Sequence, residues 1–299
     1  MTTKRQILIF LALTALTGMF LLSSCKAGKA ASSVTESAEE TVSSSDIASS
    51  YVSKNETEDE SESAADSSSE SAPETSAPAD STKSSGSKKL SPEWVGKLKQ
   101  AKKKRNTQLL IVAADGMNKS TARVSMHERG ADGKWYQVFS VKGYVGKKGM
   151  IADKKRREGC QRTPIGVYRF NKAFGTAKDP GCRIPYVRVN KYHYWSGDMR
   201  KGMRYNRLVD IRKYPGLNRK KSEHLIAYKK SYRYCLNISF NEKGTPGRGS
   251  AIFLHCTGKN RYTSGCVAVP KKTMLKIMKR VKPSCVVIIN TAKKLGAKK

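Results

Sequence analysis

The feature that most constrains this chain is a low-complexity stretch between residue 26 and about residue 88. Ser, Glu, Ala and Thr dominate the stretch, and Tyr51 is its one aromatic residue. A segment of this composition buries too little apolar surface to offset the entropy of an ordered chain. We therefore expect it to be disordered, which leaves the remaining C-terminal part of the chain to form the folded unit.

The formal charge divides at almost the same position. The chain of 299 residues has a net charge of +34. Residues 1–90 hold 8 basic and 13 acidic side chains, a net of −5, whereas residues 91–299 hold 50 basic and 11 acidic ones, a net of +39. One long apolar run is present, which excludes a membrane protein with several spans. Composition therefore predicts an acidic leader followed by a very basic folded part.

The N-terminus has the pattern of an export signal. Lys4 and Arg5 precede an apolar run of 16 residues at 7–22, which is shorter than the ~20 residues that a membrane-spanning helix needs. The sequence Leu-Ser-Ser-Cys that ends at Cys25 resembles the lipobox of bacterial lipoproteins. The resemblance implies a signal peptide at 1–24, a lipidated Cys25 and stable membrane anchoring outside the cytoplasm. The alternative is an uncleaved anchor helix with an incidental cysteine.

Four segments follow the signal in our interpretation. They are a lipidated, disordered linker at 25–89, a basic helical lead-in at 90–106, the main folded domain at 107–292 and a basic tail at 293–299. Within the domain, apolar runs and alternating patterns predict about seven strands. One amphipathic helix is predicted after Pro270, because Met274, Ile277, Met278 and Val281 repeat at helical spacing. The predicted fold class is therefore mainly β with one or two helices.

One histidine and one cysteine have the arrangement of a nucleophilic pair. His255 ends an apolar strand at 251–254, and Cys266 follows after ten intervening residues. A free thiol has a pKa of about 8.5, so a nearby imidazole is needed to remove its proton near neutral pH. Gly265 lets the backbone approach a substrate and turn its amides toward a developing oxyanion. The alternative is a buried cysteine beside a structural, hydrogen-bonded histidine.

Several ordered motifs resemble the L,D-transpeptidase catalytic domain of bacterial cell-wall enzymes. Together the motifs cover roughly residues 107–292. The last of them resembles the family form in which few residues separate the histidine from the cysteine. The motifs are Arg-Glu-Gly at 157–159, Thr-Pro-Ile-Gly-Val-Tyr at 163–168, Phe-Gly at 174–175, Ile-Pro-Tyr at 184–186, Tyr-Asn at 205–206, Gly-Ser-Ala-Ile-Phe-Leu-His at 249–255 and Thr-Ser-Gly-Cys-Val-Ala at 263–268.

The resemblance implies a β-sandwich-like domain and assigns chemical roles. Cys266 is expected to attack the carbonyl between the diamino residue and D-Ala of a peptidoglycan tetrapeptide stem, which gives a thioester. His255 is the expected base and then acid, and the amides of Gly265 and Cys266 are the expected oxyanion donors. An amine of a neighbouring stem then accepts the acyl group, whereas water as acceptor gives a carboxypeptidase. No metal or organic cofactor is expected.

Five further residues are expected to bind the stem peptide. They lie within the motifs: Thr263, Ser264, Tyr186, Tyr205 and Asn206. The chain also departs from the family pattern, because Ser264 and Ala268 stand where many members have His and Arg. These departures leave donor specificity open.

The expected partners follow from the location and the charge. They are peptidoglycan stem peptides, a membrane through the lipid anchor, and anionic wall polymers whose attraction is salt-sensitive. No nucleic acid partner is expected, although basic surfaces usually indicate one, and we expect a monomer. Two alternatives stay open: an inactive, wall-binding lipoprotein of the same fold, and a basic composition that reflects a bias of the whole proteome.

The cysteine count leaves the pairing open. If Cys266 is a free nucleophile, five other cysteines remain beyond Cys25, and an odd number cannot all pair. Cys160 and Cys182 are a candidate pair, a bond between Cys256 and Cys266 would block activity, and all of them may also be thiols. The three other histidines are expected at the surface: His127, His193 and His224.

Overall fold

The computed structural model describes residues 88–297. The expected signal peptide at 1–24, Cys25 and the linker up to residue 87 lie outside the described residues, so those expectations stay untested. No helix within 88–297 has the length and apolar character that a membrane crossing requires.

The described part of the chain contains thirteen strands and three α-helices. The strands are β1 Gln108–Ala114, β2 Thr121–Arg129, β3 Trp135–Tyr144, β4 Met150–Ala152, β5 Thr163–Gly175, β6 Tyr186–Arg188, β7 His193–Trp195, β8 Leu208–Asp210, β9 Glu223–His224, β10 Cys235–Ile238, β11 Phe253–Cys256, β12 Val267–Val269 and β13 Val286–Thr291. The helices are α1 Glu93–Lys97, α2 Lys271–Arg280 and α3 Ala292–Leu295. The prediction of a mainly β fold is confirmed.

Eight strands form a closed ring in the order β10, β11, β12, β3, β2, β1, β13 and β5, and β5 pairs again with β10. The 13 residues of β5 make this closure possible, because its first half pairs with β13 and its second half with β10. The pairs β1–β13 and β11–β12 are parallel. Opposite walls of the ring face each other across one core, as the layers of a sandwich do.

The strand β1 is buried on both faces. Leu110 and Val112 belong to the main core, whereas Leu109 and Ile111 belong to a second cluster outside the ring. Burial on both sides explains why β1 is a continuous apolar run rather than an alternating one. The predicted helix after Pro270 is present as α2, and its apolar side chains Met274, Ile277 and Met278 lie in the main core.

The predicted lead-in and the described part of the tail pack onto the ring. Val95 and Ala101 from the lead-in and Leu295 from α3 lie in the second cluster with Leu109 and Trp135. Leu90 also forms a β-bridge with Tyr136. The folded unit therefore extends on both sides of the predicted 107–292 domain.

A separate three-stranded sheet is formed in the order β8, β7, β9. Tyr194, Val209 and Leu217 give it a small core of its own. Trp195 from β7 and Leu225, next to β9, pack instead with Phe253 of β11. This sheet, which we call the cover, therefore lies against the outer face of the ring at β11.

The expectation that His127 lies at the surface is wrong. The side chain is 0% exposed, its Nδ1 lies 2.7 Å from Ser91 Oγ, and its Nε2 lies 2.8 Å from Ser125 Oγ. His127 and Ser125 lie on the face of β2 opposite Val124 and Met126, which point into the main core. The lead-in covers this outer face, since Ser91 contacts the His127 ring, and the pattern of β2 alone does not record that cover. Burial lowers the pKa of His127 to about 4.

Candidate active site

The strand register places His255 and Cys266 on one face of the sheet. In the parallel pair β11–β12, Leu254 lies opposite Val267 and His255 lies opposite Ala268. Leu254 and Val267 point into the main core. Because neighbouring residues of a strand point to opposite faces, His255 and Cys266, which directly precedes Val267, share the outer face. Strand spacing and rise separate their Cα atoms by roughly 8 Å, a distance that the two side chains together can span.

The Cys266 sulfur is held by the backbone of a neighbouring segment. The thiol donates to the carbonyl of Ala251 at 3.2 Å and accepts from the amide of Phe253 at 3.3 Å. The residue is 7% exposed, and burial raises the pKa of its thiol to about 12. Cys266 is therefore a neutral thiol at neutral pH in this structure.

The His255 ring has its proton position set by the backbone. Its Nδ1 lies 2.8 Å from the carbonyl oxygen of Cys256, an acceptor, so the proton of the neutral ring lies on Nδ1 and Nε2 is unprotonated. The residue is 8% exposed, and burial lowers its pKa to about 4. Within residues 88–297 no hydrogen bond joins this ring to the Cys266 sulfur, although the tautomer suits a base.

The Cys266 sulfur lies in a largely buried part of the molecule. Cys266 belongs to a buried cluster with Trp195, Leu225, Tyr232 and Phe253. The Trp195 ring packs edge-on against Phe253 at 4.8 Å between centroids, and Tyr232 packs against the His255 ring at 5.4 Å. Of these side chains, Trp195 belongs to the cover and Leu225 lies next to it, whereas Phe253 belongs to the 249–255 motif. Trp195, Leu225 and Tyr232 come from chain segments outside the motifs that carry His255 and Cys266.

Two threonines hold the loop that ends at Cys266. Thr163 Oγ1 lies 2.8 Å from the carbonyl oxygen of Gly265, and Thr263 Oγ1 lies 2.8 Å from that of Cys266. The amide of Gly265 donates to Thr263 Oγ1 at 3.1 Å, so this expected oxyanion donor is already engaged. Gly265 has a φ of +138°, which favours glycine at this position.

The predicted substrate residues Tyr205 and Asn206 have their polar atoms engaged inside the protein. The hydroxyl of Tyr205 donates to Glu158 and accepts from the amide of Gly249. The side chain of Asn206 accepts from the amide of Ala251 at 3.1 Å. Both residues therefore support the 249–251 segment, whose Ala251 carbonyl contacts the Cys266 thiol, and do not point free groups at a substrate.

Of the three other predicted substrate residues, two have engaged hydroxyls and one is exposed. Tyr186 donates its hydroxyl to the carbonyl of Ala177 at 2.8 Å and packs against the main core. Thr263 orders the cysteine loop, as described above. Ser264 is exposed beside Gly265, so it alone of the five presents its side chain to solvent near the cysteine.

The structure adds polar residues that the motifs did not single out. Arg156 is buried beside Gly265, and its guanidinium lowers the pKa of Cys266, although burial outweighs this effect. Glu223 of the cover accepts a hydrogen bond from the Tyr232 hydroxyl, and burial raises the pKa of Glu223 to about 7. No local pattern marks Arg156 or Glu223, because each reaches the site only through the fold.

All six cysteines of the described residues are free thiols. The candidate pair Cys160–Cys182 is therefore not formed, and Cys256 is not joined to Cys266. The Cys256 sulfur points to the carbonyl of Tyr234, on the core side of β11. Residues 88–297 also contain no group of three His, Cys, Asp or Glu side chains placed to hold a metal ion.

These features define a closed β-ring domain with a cysteine–histidine site on its outer face. The sequence model of the YkuD family, the L,D-transpeptidase catalytic domain, matches residues 104–289. The chain therefore belongs to this family, whose members act on peptidoglycan.

Two solved structures are similar to the chain. They are the helical cell shape determining protein Pgp2 from Campylobacter jejuni and a single-residue mutant of it. The first is 15% identical with a TM-score of 0.33 over 66% of this chain and 54% of that one. The second is 17% identical with a TM-score of 0.32 over 66% and 53%. The chain thus spans about half the length of these proteins. A search of the curated proteins finds no match.

Proposed function

We propose that this protein is an extracytoplasmic L,D-transpeptidase with Cys266 as nucleophile and His255 as its base. The observation that carries the proposal is the shared outer face of β11 and β12, where both side chains lie within a family-matched domain. The substrate is the tetrapeptide stem of peptidoglycan, which the family membership supports.

The proposed reaction has two steps. The His255 Nε2 takes the thiol proton while the sulfur of Cys266 bonds to the carbonyl carbon of the diamino residue. The bond from that carbon to the D-Ala nitrogen breaks, and the proton passes to the leaving amine. An amine of a neighbouring stem then attacks the thioester, a carbon–nitrogen bond replaces the carbon–sulfur bond, and the amine's proton returns to the sulfur through His255.

The burial of the pair makes the cover part of this mechanism. With burial holding the pKa of Cys266 at about 12 and that of His255 at about 4, both groups are neutral while the cover is closed. Water or a polar substrate at the site reverses the cause of both shifts, because burial disfavours each charged form. Displacement of the cover by the stem therefore also activates the nucleophile.

The test is incubation of the purified full chain with a defined tetrapeptide muropeptide, followed by mass spectrometry. We expect release of free D-Ala and a cross-linked product from wild type, with no release from Cys266→Ala. The control is Cys160→Ala, a partly exposed thiol in another loop, which keeps the wild-type rate. Release of D-Ala with a tripeptide as the one product indicates water as acceptor, and unchanged release from Cys266→Ala overturns the proposal.

The location rests on the N-terminal pattern alone. We propose that the lipidated Cys25 anchors the chain to the outer face of the membrane and that the basic domain also attracts anionic wall polymers. Cys25→Ala is expected to move the protein from the membrane fraction to the soluble fraction. Continued membrane association of this variant contradicts the lipid anchor.

A further inference from the structure

Among residues 88–297, the side chain of Arg156 is a buried cation without a carboxylate partner. It is 3% exposed, and its Nη1 donates to the carbonyl of Arg157 at 2.6 Å, which is the one hydrogen bond of this guanidinium among the described residues. Its Nε is buried and has no hydrogen-bond partner in the described part of the chain. A guanidinium has five N–H donors, and a buried charge is costly unless it is paired. Arg156 therefore offers charged N–H donors that an anionic group could accept.

Two glycines make room for this guanidinium. A Cβ on Gly249 would collide with Nη1, and a Cβ on Gly265 would lie 3.2 Å from Nη2. Both glycines have positive φ values, +112° and +138°. Gly265 directly precedes Cys266, and Gly249 lies two residues before Ala251, whose carbonyl accepts the Cys266 thiol. The guanidinium therefore lies between the two segments that hold the sulfur.

The neighbouring Arg248, unlike Arg156, is paired with a carboxylate. Arg248 and Arg156 both lie over the Phe240 ring, at 5.5 and 5.6 Å from its centroid. Arg248 forms an ion pair with Asp153, and the same carboxylate also accepts the Tyr168 hydroxyl at 2.7 Å. The Asp153 carboxylate is therefore paired with Arg248, and within residues 88–297 no carboxylate is paired with Arg156.

We propose that Arg156 binds the terminal carboxylate of the donor stem, the carboxylate of the D-Ala residue that leaves. This inference rests on the proposed function. A planar guanidinium fork matches a carboxylate with two parallel hydrogen bonds. That carboxylate is one residue beyond the carbonyl that the Cys266 sulfur attacks, and the guanidinium is beside the residue that precedes Cys266. Arg156 thereby makes a free C-terminus after the scissile bond a requirement for the donor.

The experiment compares two donors that differ at one group. One is the tetrapeptide stem with its free terminal carboxylate, and the other carries a terminal carboxamide. Each is given to wild type, Arg156→Gln, Arg156→Lys and Arg248→Gln of the full chain, and release of D-Ala or its amide is followed by mass spectrometry. Arg248→Gln is the matched control, because it removes the same charge and a contact with the same ring.

We expect wild type and Arg248→Gln to prefer the free carboxylate by about 10- to 100-fold in kcat/KM, the range for a charged hydrogen bond. Arg156→Gln is expected to lose that factor on the free acid, mainly through KM, and to match wild type on the amide. Arg156→Lys, which keeps the charge without the fork, is expected to be intermediate.

Several outcomes overturn the assignment. One is equal rates of wild type on the two donors, and another is an equal loss by Arg156→Gln on both, which indicates a role at the oxyanion or in the fold. Circular dichroism and thermal melting check folding, and if Arg156→Gln is unfolded, the wild-type comparison and Arg156→Lys decide. Failure of wild type to release D-Ala from the free acid contradicts the proposed function instead.

Discussion

Asn206 connects the cover, the ring and the loop behind the nucleophile through one side chain. Its Oδ1 accepts from Trp195 Nε1 at 2.9 Å and from the amide of Ala251 at 3.1 Å. Its Nδ2 donates to the carbonyls of Phe240 and Asn241 at 3.0 and 2.9 Å. All hydrogen-bonding capacity of the side chain is thus used inside the protein, so its place in a family motif reflects support of the site.

The first prediction concerns this residue. Asn206→Ala is expected to lower the free energy of unfolding by about 2–4 kcal/mol, because it leaves several buried groups without partners. Asn206 also has a φ of +57°, which asparagine tolerates better than alanine does. Urea unfolding measures the change. Asn118→Ala, at an exposed asparagine, is the control and is expected to change stability by about 0.5 kcal/mol or less. A loss below that value for Asn206→Ala contradicts the scaffold role.

At the scale of elements, the cover packs against the strand that carries His255. Trp195 of β7 packs on Phe174 at 5.9 Å and on Phe253 at 4.8 Å, and it donates to Asn206. Phe253 lies on the strand that carries His255. Within residues 88–297, β7 pairs with β8 and β9 and not with β11. The attachment of the cover to β11 therefore depends on side-chain packing, to which Trp195 contributes the largest side chain.

The second prediction follows from that attachment. Trp195→Ala is expected to speed alkylation of Cys266 by iodoacetamide at pH 7 by about 10-fold or more, because loss of the indole costs about 3–5 kcal/mol of packing at the cover. Peptide mass spectrometry after short exposures gives the rate for each cysteine. Tyr192→Ala, at a residue of the same segment that lies against Arg212, is the control. An unchanged Cys266 rate in Trp195→Ala means that the cover does not limit access.

In wild type the same assay separates the cysteines by environment. Cys160 is partly exposed, whereas burial raises the pKa of Cys266 to about 12 and lowers the thiolate fraction. We expect Cys160 to be alkylated first at pH 7, and the Cys266 rate to continue rising above pH 9. A Cys266 rate that reaches a plateau below pH 8 indicates a preformed thiolate and contradicts the neutral pair.

At the scale of the whole molecule, buried histidines make stability depend on pH. Burial lowers the pKa of His127 and of His255 from 6.5 to about 4. The unfolded chain therefore binds protons at these sites between pH 6.5 and 4 that the folded protein does not, and acid destabilises the fold in this window. Each histidine contributes roughly 3 kcal/mol by this route. Glu223, whose pKa burial raises to about 7, acts in the opposite direction and offsets part of the loss.

The fourth prediction uses His127, which lies away from the proposed chemistry. The free energy of unfolding of wild type is expected to fall as the pH is lowered from 7 to 4.5. His127→Gln is expected to reduce that fall by roughly 2–3 kcal/mol, even if its stability at pH 7 is lower. Urea titrations at both pH values measure the two differences. An identical fall in wild type and His127→Gln contradicts the assignment of the pH dependence to this buried ring.

Local sequence patterns were sufficient to predict those helices and strands whose buried residues repeat at regular spacing. The period of Met274, Ile277 and Met278 predicted α2, and the apolar runs and alternating patterns predicted a mainly β fold. The motif order also indicated the family that the comparison with family models confirmed. These features depend on residues close together in the chain, so the sequence carries them directly.

The sequence by itself therefore determined the class of the fold, the helix, and a cysteine and a histidine close enough in the chain to meet. Only the tertiary structure decided that His127 is buried, that Asn206 supports the site, that Arg156 lies unpaired behind Cys266 and that the cover closes over the sulfur. Each of these depends on which distant segments pack together. Burial and pairing of a polar group are properties of that packing, and periodicity along the chain does not record them.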